Sequence, residues 1–264
     1  MQKFYAASRA YYGDIDFTAD TWTDETQLEV QDILKEASRH KAVLEVGCGK
    51  SNILKSGRID PHHYTGIDFS PEVIEKNRAT FPEATFHCIE DISRFPVETG
   101  HFDYAFSHYV LEHCVFPNLF LDECMRVLRP GGVLSILCPD FLGAGRMSSQ
   151  RAGFSAGTGR EKLSKGQYWD ALVTGYDTRI KIPLFAFRLR SKARRSPRFF
   201  INLTPTGFTD RFVPDVDAVY LTFADEIRSY LADSILWEPL EDSLARYSAA
   251  HAHIYLKGRK KAER

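Results

Sequence analysis

The chain has 264 residues, 44% of them hydrophobic and 26% charged, with a formal net charge of −1. That length suits one large domain or a domain carrying an insertion, and that balance is the one found in ordinary globular proteins. Near-zero net charge excludes a global electrostatic pull towards nucleic acid or anionic membrane.

No apolar run approaches the ~18 residues needed to span a bilayer, and the N-terminal MQKFYAASRAYYGD lacks the apolar stretch of a secretory leader. Cys48, Cys88, Cys114, Cys124 and Cys138 contain no CxxC pair. They read as free thiols in a reducing cytoplasm, with no disulfide framework and no metal site expected.

Residues 24–38 place Leu28, Ile33, Leu34 and Ala37 at helical spacing. Ala42 to Val46 then runs into Gly47-Cys48-Gly49, the pattern of a buried parallel strand feeding a tight glycine turn. Tyr64 to Asp68 reads as a second strand, after which Ser70 as N-cap and Pro71 at the first helical position open a helix. Ala84–Ile89 and Phe102–Ser107 supply the third and fourth strands. A helix from Leu119 to Leu128 stops at Arg129-Pro130-Gly131-Gly132, and Val133–Cys138 is the fifth strand.

After Pro139-Asp140 this rhythm breaks. Residues 143–159 contain five glycines and three serines and are expected to be mobile. Regular structure resumes as a helix around 223–232, with sixth and seventh strands near 235–240 and 252–256. Strands alternating with helices predict an α/β fold: a Rossmann-like, seven-stranded, mostly parallel sheet with helices on both faces and an inserted cap.

Glycines after the first strand let a ligand approach the backbone, and Asp68, nineteen positions after Gly49, suits a ribose diol. Two details separate a sulfonium from a dinucleotide. The third glycine of GxGxxG is replaced by Asn52, and Glu45 sits inside the strand just before the loop. A carboxylate there repels a pyrophosphate by about a few kcal/mol in a low-dielectric cleft, yet attracts an ammonium or a sulfonium. Asp91, at the end of the third strand, is placed to accept from an adenine amino group, with Ile92 against the ring.

The segments VLEVGCGKS (43–51), GIDFS (66–70), CIEDISRFP (88–96), FDYAFSHYVLEH (102–113) and LRPGGVLSILCPD (128–140) together resemble the class I S-adenosylmethionine-dependent methyltransferases. The likeness is to the small-molecule type related to quinone and natural-product enzymes. One departure is Ser51, where the family has its last loop glycine; it is tolerable if the residue keeps φ below zero.

The resemblance implies S-adenosyl-L-methionine as cofactor. Glu45, Gly47 and Gly49, with Cys48 between them, are to border the methionine moiety. Asp68, followed by Phe69, is to meet the ribose, and Asp91 with Ile92 the adenine. Ser107 and His108 are to line the methyl-donor side. Residues 1–140 then hold an N-terminal helix and the cofactor-binding core, 141–220 the substrate cap, and 221–264 the helix and strands that complete the core.

Methyl transfer is an in-line displacement that needs alignment and dryness, and a hydroxyl acceptor gains from a general base. His108, His113 and Asp140 follow the ends of the fourth and fifth strands and are the candidates. Each has a plainer reading, as a loop or turn residue. His251 and His253 share one face of the last strand, but no third metal ligand accompanies them.

The insertion combines aromatics, among them Phe154, Tyr168, Trp169, Tyr176, Phe185 and Phe187, with RLRSKARRSPR at 188–198, six of whose eleven residues are Lys or Arg. It reads either as a cap gripping an anionic or lipid-linked small molecule, with 184–187 dipping into a membrane, or as a solvated loop. The expected function is methylation of a small molecule, most specifically O-methylation of a sugar or lipid-linked metabolite. Methylation of nucleic acid and a non-catalytic cofactor-binding subunit are the alternatives.

Overall fold

Seven strands join in one sheet because most of their residues are buried on both faces. They are β1 (Val43–Val46), β2 (Tyr64–Asp68), β3 (Thr85–Cys88), β4 (Phe102–His108), β5 (Leu128–Pro139), β6 (Ile235–Trp237) and β7 (His253–Lys260), in the order β3-β2-β1-β4-β5-β7-β6. The computed structural model describes residues 27–145, 159–201 and 218–262. Helices, in chain order, are α1 (Leu28–Ala37), α2 (Asn52–Lys55), α3 (Pro71–Thr80), α4 (Pro117–Val127), α5 (Gly159–Ser164), α6 (Tyr168–Tyr176), α7 (Ile182–Ala193), α8 (Ala224–Tyr230) and α9 (Asp242–Ala250).

Two units make up the chain. The first comprises Met1–Val110, Asn118–Cys138 and Leu231–Arg264. In it β1 pairs in parallel with β2 and β4, β2 with β3, and β4 with β5, while β6 and β7 are antiparallel. This is the seven-stranded, mostly parallel α/β fold that the alternation of apolar runs predicts.

The strand order turns at β1, which lies between β2 and β4, and such a point opens a crevice beyond the carboxyl ends of the strands. Val30, Ile33, Leu34 and Ala37 of α1 form the apolar stripe that packs with Val43, Tyr104, Phe106 and Tyr255 of the sheet. α3 starts as expected, Pro71 filling its first position and the Ser70 hydroxyl accepting from the Val73 N–H at 3.4 Å.

The boundary between α4 and β5 differs from expectation. The strand begins at Leu128, directly after the helix, and Arg129–Gly132 lie inside it rather than in a separating turn. Phe102 pairs with Leu128 and Tyr104 with Val133, so these residues are taken up in a bulge, with Gly131 at φ +79°. Lys260 on β7 donates to the carbonyls of Met125 and Leu128 at 2.8 and 2.7 Å, placing a cation at the junction of α4 and β5.

The second unit comprises Leu111–Pro117 and Pro139–Tyr230. Its core gathers Leu142, Ala186, Leu189, Ala193, Leu221 and Phe223. Fully buried Glu226 organises it, accepting from the Arg198 and Phe199 N–H groups at 2.7 and 2.9 Å and from the Tyr220 hydroxyl at 2.8 Å. The basic run 188–198 is only partly a loop: its first six residues complete α7, and the last five follow it outside the helix. Most of the glycine-rich stretch read as mobile, with Phe154, lies outside the described residues.

Candidate cofactor site and active site

The loop after β1 takes its shape from three left-handed residues. Gly47 has φ +76°, and a Cβ there would stand 2.4 Å from a Val110 methyl, so only glycine fits. Gly49 has φ +48° and open space around its missing Cβ. Ser51, the expected exception with φ below zero, instead has φ +49° and is fully buried.

A left-handed non-glycine residue costs about 1–2 kcal/mol. The Ser51 hydroxyl offsets it by accepting from Asn77 Nδ2 at 3.1 Å, with the Tyr64 hydroxyl oxygen 3.3 Å away. Asn77, on α3, also donates to the Gly49 carbonyl at 2.7 Å. Tyr64 and Asn77 thus clamp the loop from positions 13 and 26 residues beyond Ser51, a separation at which no local pattern announces them.

Asp68 closes the same loop. Its Oδ2 accepts from the Gly49 N–H and its Oδ1 from the Ser70 N–H, both at 2.9 Å. The acid at the end of β2 therefore fixes the glycine turn and the entry to α3. Cys48 is buried between the two glycines, and Phe69 is half-buried beside Asp68.

Glu45 pairs in register with Phe106, and the two-residue period of β4 carries His108 to the same face. Ser107 points to the other face of the sheet, so the two residues expected to line one side are separated by the pleat. His108 Nδ1 stands 3.3 Å from Glu45 Oε1, while the Tyr64 hydroxyl donates to Glu45 Oε2.

Burial pushes the Glu45 carboxyl up to about 8, with the Asp68 charge adding to the push and the Tyr64 hydrogen bond opposing it. Burial also presses His108 down to about 4. At neutral pH the two face each other as a carboxylic acid and a neutral imidazole. Glu45 Oε1 and Ser107 Oγ are buried without a hydrogen-bond partner among the described residues.

The other residues singled out from sequence fall as follows. Asp91 is fully exposed, and its carboxylate accepts from the Ser93 N–H and hydroxyl at 2.9 and 2.7 Å, bonds that hold its pKa below the usual range. Ile92 is half-buried. His113 and Asp140 belong to the second unit. His113 Nε2 lies 3.7 Å from the buried Glu112 carboxylate, and Asp140 accepts from the Gly143 N–H at 2.8 Å as a turn residue does.

The His251 ring lies tilted against Tyr247, centroids 4.1 Å apart, and among the described residues no three ligating groups converge to hold a metal. His253 does something sequence reading missed. Its Nδ1 meets buried Glu29 on α1 and its Nε2 the Tyr109 hydroxyl, each at 3.2 Å, tying α1, β7 and the residue after β4. Tyr109 is itself left-handed, at φ +56°.

A glycine turn beyond β1, an acid at the end of β2 and a buried acid within β1 now stand together at the turning point of a parallel sheet. Residues 44–136 match the family model described as a methyltransferase domain. These residues form a class I S-adenosylmethionine-dependent methyltransferase domain.

The domain is 31% identical over 100 residues to a malonyl-[acyl-carrier protein] O-methyltransferase from Enterobacter lignolyticus, covering 38% of this chain and 39% of that one. It is 33% identical over 102 residues to a demethylmenaquinone methyltransferase from Listeria welshimeri, covering 36% and 43%. The chain thus spans about two fifths of the length of these curated relatives. The PH0226 protein from Pyrococcus horikoshii shares the fold, at a TM-score of 0.52 and 14% identity over 96% of this chain and 99% of that one.

The family's cofactor suits the residues present. S-adenosylmethionine carries an α-ammonium in place of a pyrophosphate, and the methyltransferase domain offers it a buried, unpartnered oxygen on Glu45 and a bare Gly49. No helix among the described residues is long and apolar enough to cross a membrane.

Proposed function

We propose that this chain transfers the methyl group of S-adenosylmethionine to a small-molecule acceptor, by O-methylation of a sugar or lipid-linked metabolite. The observation that carries the reading is the buried Glu45 Oε1, an acceptor without a hydrogen-bond partner among the described residues, next to the glycine turn after β1. When bound, the cofactor supplies an electrophilic methyl group on a sulfonium.

The chain's own residues bind and orient. Glu45 accepts from the α-ammonium, Asp68 turns its remaining lone pairs to the ribose diol, and Asp91 with Ile92 borders the adenine. His108, pressed down to about 4, holds no proton at neutral pH and is too weak a base for the reaction. His113, whose Nε2 lies 3.7 Å from the Glu112 carboxylate, and Asp140 are then the candidates for the base role. Acceptor choice is assigned to the inserted residues 141–220, whose basic and aromatic make-up suits an anionic or lipid-linked molecule.

Calorimetry tests the core of this reading. S-adenosylmethionine or its demethylated product should bind in the micromolar range and NAD not at all. Asp68→Ala should weaken binding by about 1–3 kcal/mol through loss of a buried polar partner. Tight NAD binding would overturn it.

A further inference from the structure

From Tyr168 to Ala193 the second unit runs as one unbroken helical stretch: α6, a π turn at Asp177–Lys181, and α7. Tyr168, Leu172, Tyr176, Ile180 and Leu184 recur every fourth residue along it, and each is about half to two-thirds exposed or more. In a plain α-helix such a row winds around the axis by about 40° at each step, because the turn holds 3.6 residues. The wider π turn at its middle winds the other way and keeps the row on one side. Ala171, Thr174, Asp177, Ile182, Ala186, Leu189 and Ala193 are the buried residues that hold the helix to its unit. Of the run 184–187, Phe185 and Ala186 face this core, while Leu184 and Phe187 are exposed.

The charge of this region differs from that of the whole. Residues 159–198 contain eleven Lys or Arg against three acids, in a chain whose net charge is −1. Exposed Arg179, Arg188, Lys192 and Arg195 stand among or just beyond the apolar side chains. An apolar stripe rich in aromatic residues and bordered by cations is the pattern of a helix that lies in the plane of an anionic lipid interface. There Trp and Tyr settle at headgroup depth and Lys and Arg meet the lipid phosphates.

We propose that the helical run Tyr168–Ala193 docks this protein on the surface of an anionic lipid bilayer. The charge segregation decides the occupant: a second copy would set its own Arg179, Arg188 and Lys192 against the same cations and be repelled. The inference depends on no step of the methyl transfer.

Flotation of the whole protein with vesicles tests it. Vesicles of phosphatidylcholine containing about a third phosphatidylglycerol should bind the protein at least about tenfold better than phosphatidylcholine alone, and raised salt should shrink the difference. Leu184→Glu with Phe187→Glu should abolish binding. The helix faces solvent there, so the thermal melt and the cofactor affinity of the double variant should stay at the parent values. In a variant with Trp22 and Trp237 changed to Phe, brominated lipid should quench Trp169.

Absence of binding to anionic vesicles at low salt overturns the proposal, as does unchanged binding by the double variant. A concentration-dependent dimer that the same substitutions dissociate, with no vesicle binding, overturns it in favour of self-association. None of these results bears on cofactor binding, so the two readings fail separately.

Discussion

Glu45 and His108 face each other at 3.3 Å in a buried site whose other charged or titratable members are Asp68, Tyr64 and Cys48. The folded Glu45 keeps its proton up to about 8, whereas the unfolded carboxyl loses it near 4.5. Folded His108 gains its proton only near 4, whereas the unfolded imidazole gains it near 6.5. Between about 4.5 and 6.5 the two effects oppose each other: the raised acid favours lower pH and the depressed imidazole favours higher. From about 6.5 to 8 only Glu45 differs, the unfolded chain binds fewer protons, and stability falls as pH rises.

The cofactor-free protein should therefore melt at progressively lower temperature from pH 6.5 to 8, and Glu45→Gln should flatten that slope. A flat parent profile would refute the buried acid. A bound cation favours the carboxylate, so cofactor binding near pH 7 should release a proton, seen as a buffer-dependent calorimetric heat that the Gln variant lacks. Glu45 was legible in the sequence as an acid beside a glycine turn. Its protonation was not, because that depends on burial first, and then on Tyr64 and Asp68, which only the fold brings to it.

Among the elements, α7 and the turn after it divide their arginines by contact. Arg190 donates to the Gly143 carbonyl at 3.0 Å, and Arg194 pairs with Asp225 at 2.9 Å while its guanidinium lies 5.6 Å over the Phe223 ring. Arg188 and Arg195 are exposed. In denaturant unfolding, Arg190→Ala should cost about 1 kcal/mol and Arg194→Ala, a largely exposed pair, about 0.2–1 kcal/mol. Arg188→Ala and Arg195→Ala should stay within about 0.5 kcal/mol. Four equal losses would show that the contacts are wrongly assigned.

From the sequence these arginines formed one undivided run. Helical phase separates them, and the π turn that sets the phase has no compositional mark. The start of α3 was legible for the opposite reason: Ser70 and Pro71 act within one turn, and the cap is local chemistry.

At the scale of the molecule, the last residues return to finish what the first began. β7 lies between β5 and β6. On it Tyr255 and Lys257 both donate to Asp32 at 2.8 Å, and His253 pairs with buried Glu29. A chain ended at Tyr230 would take from Glu29 and Asp32 of α1 their partners His253, Tyr255 and Lys257 and leave the edge of β5 open. Such a chain should fail to give a cooperative melt or a monomeric elution peak, and a truncated protein that melts like the parent would show that the first unit closes without β7.

The sequence by itself determined the strand–helix alternation, the glycine turn and the acids in and after the first two strands, since each is read within a few residues by periodicity or backbone freedom. Tertiary structure alone decided the left-handed Ser51 with its Tyr64 and Asn77 clamp, the His253 tie to Glu29 and Tyr109, and the side of the pleat on which Ser107 and His108 fall. Those contacts join residues that are far apart in the chain, and only the pairing register of the sheet determines which of them meet.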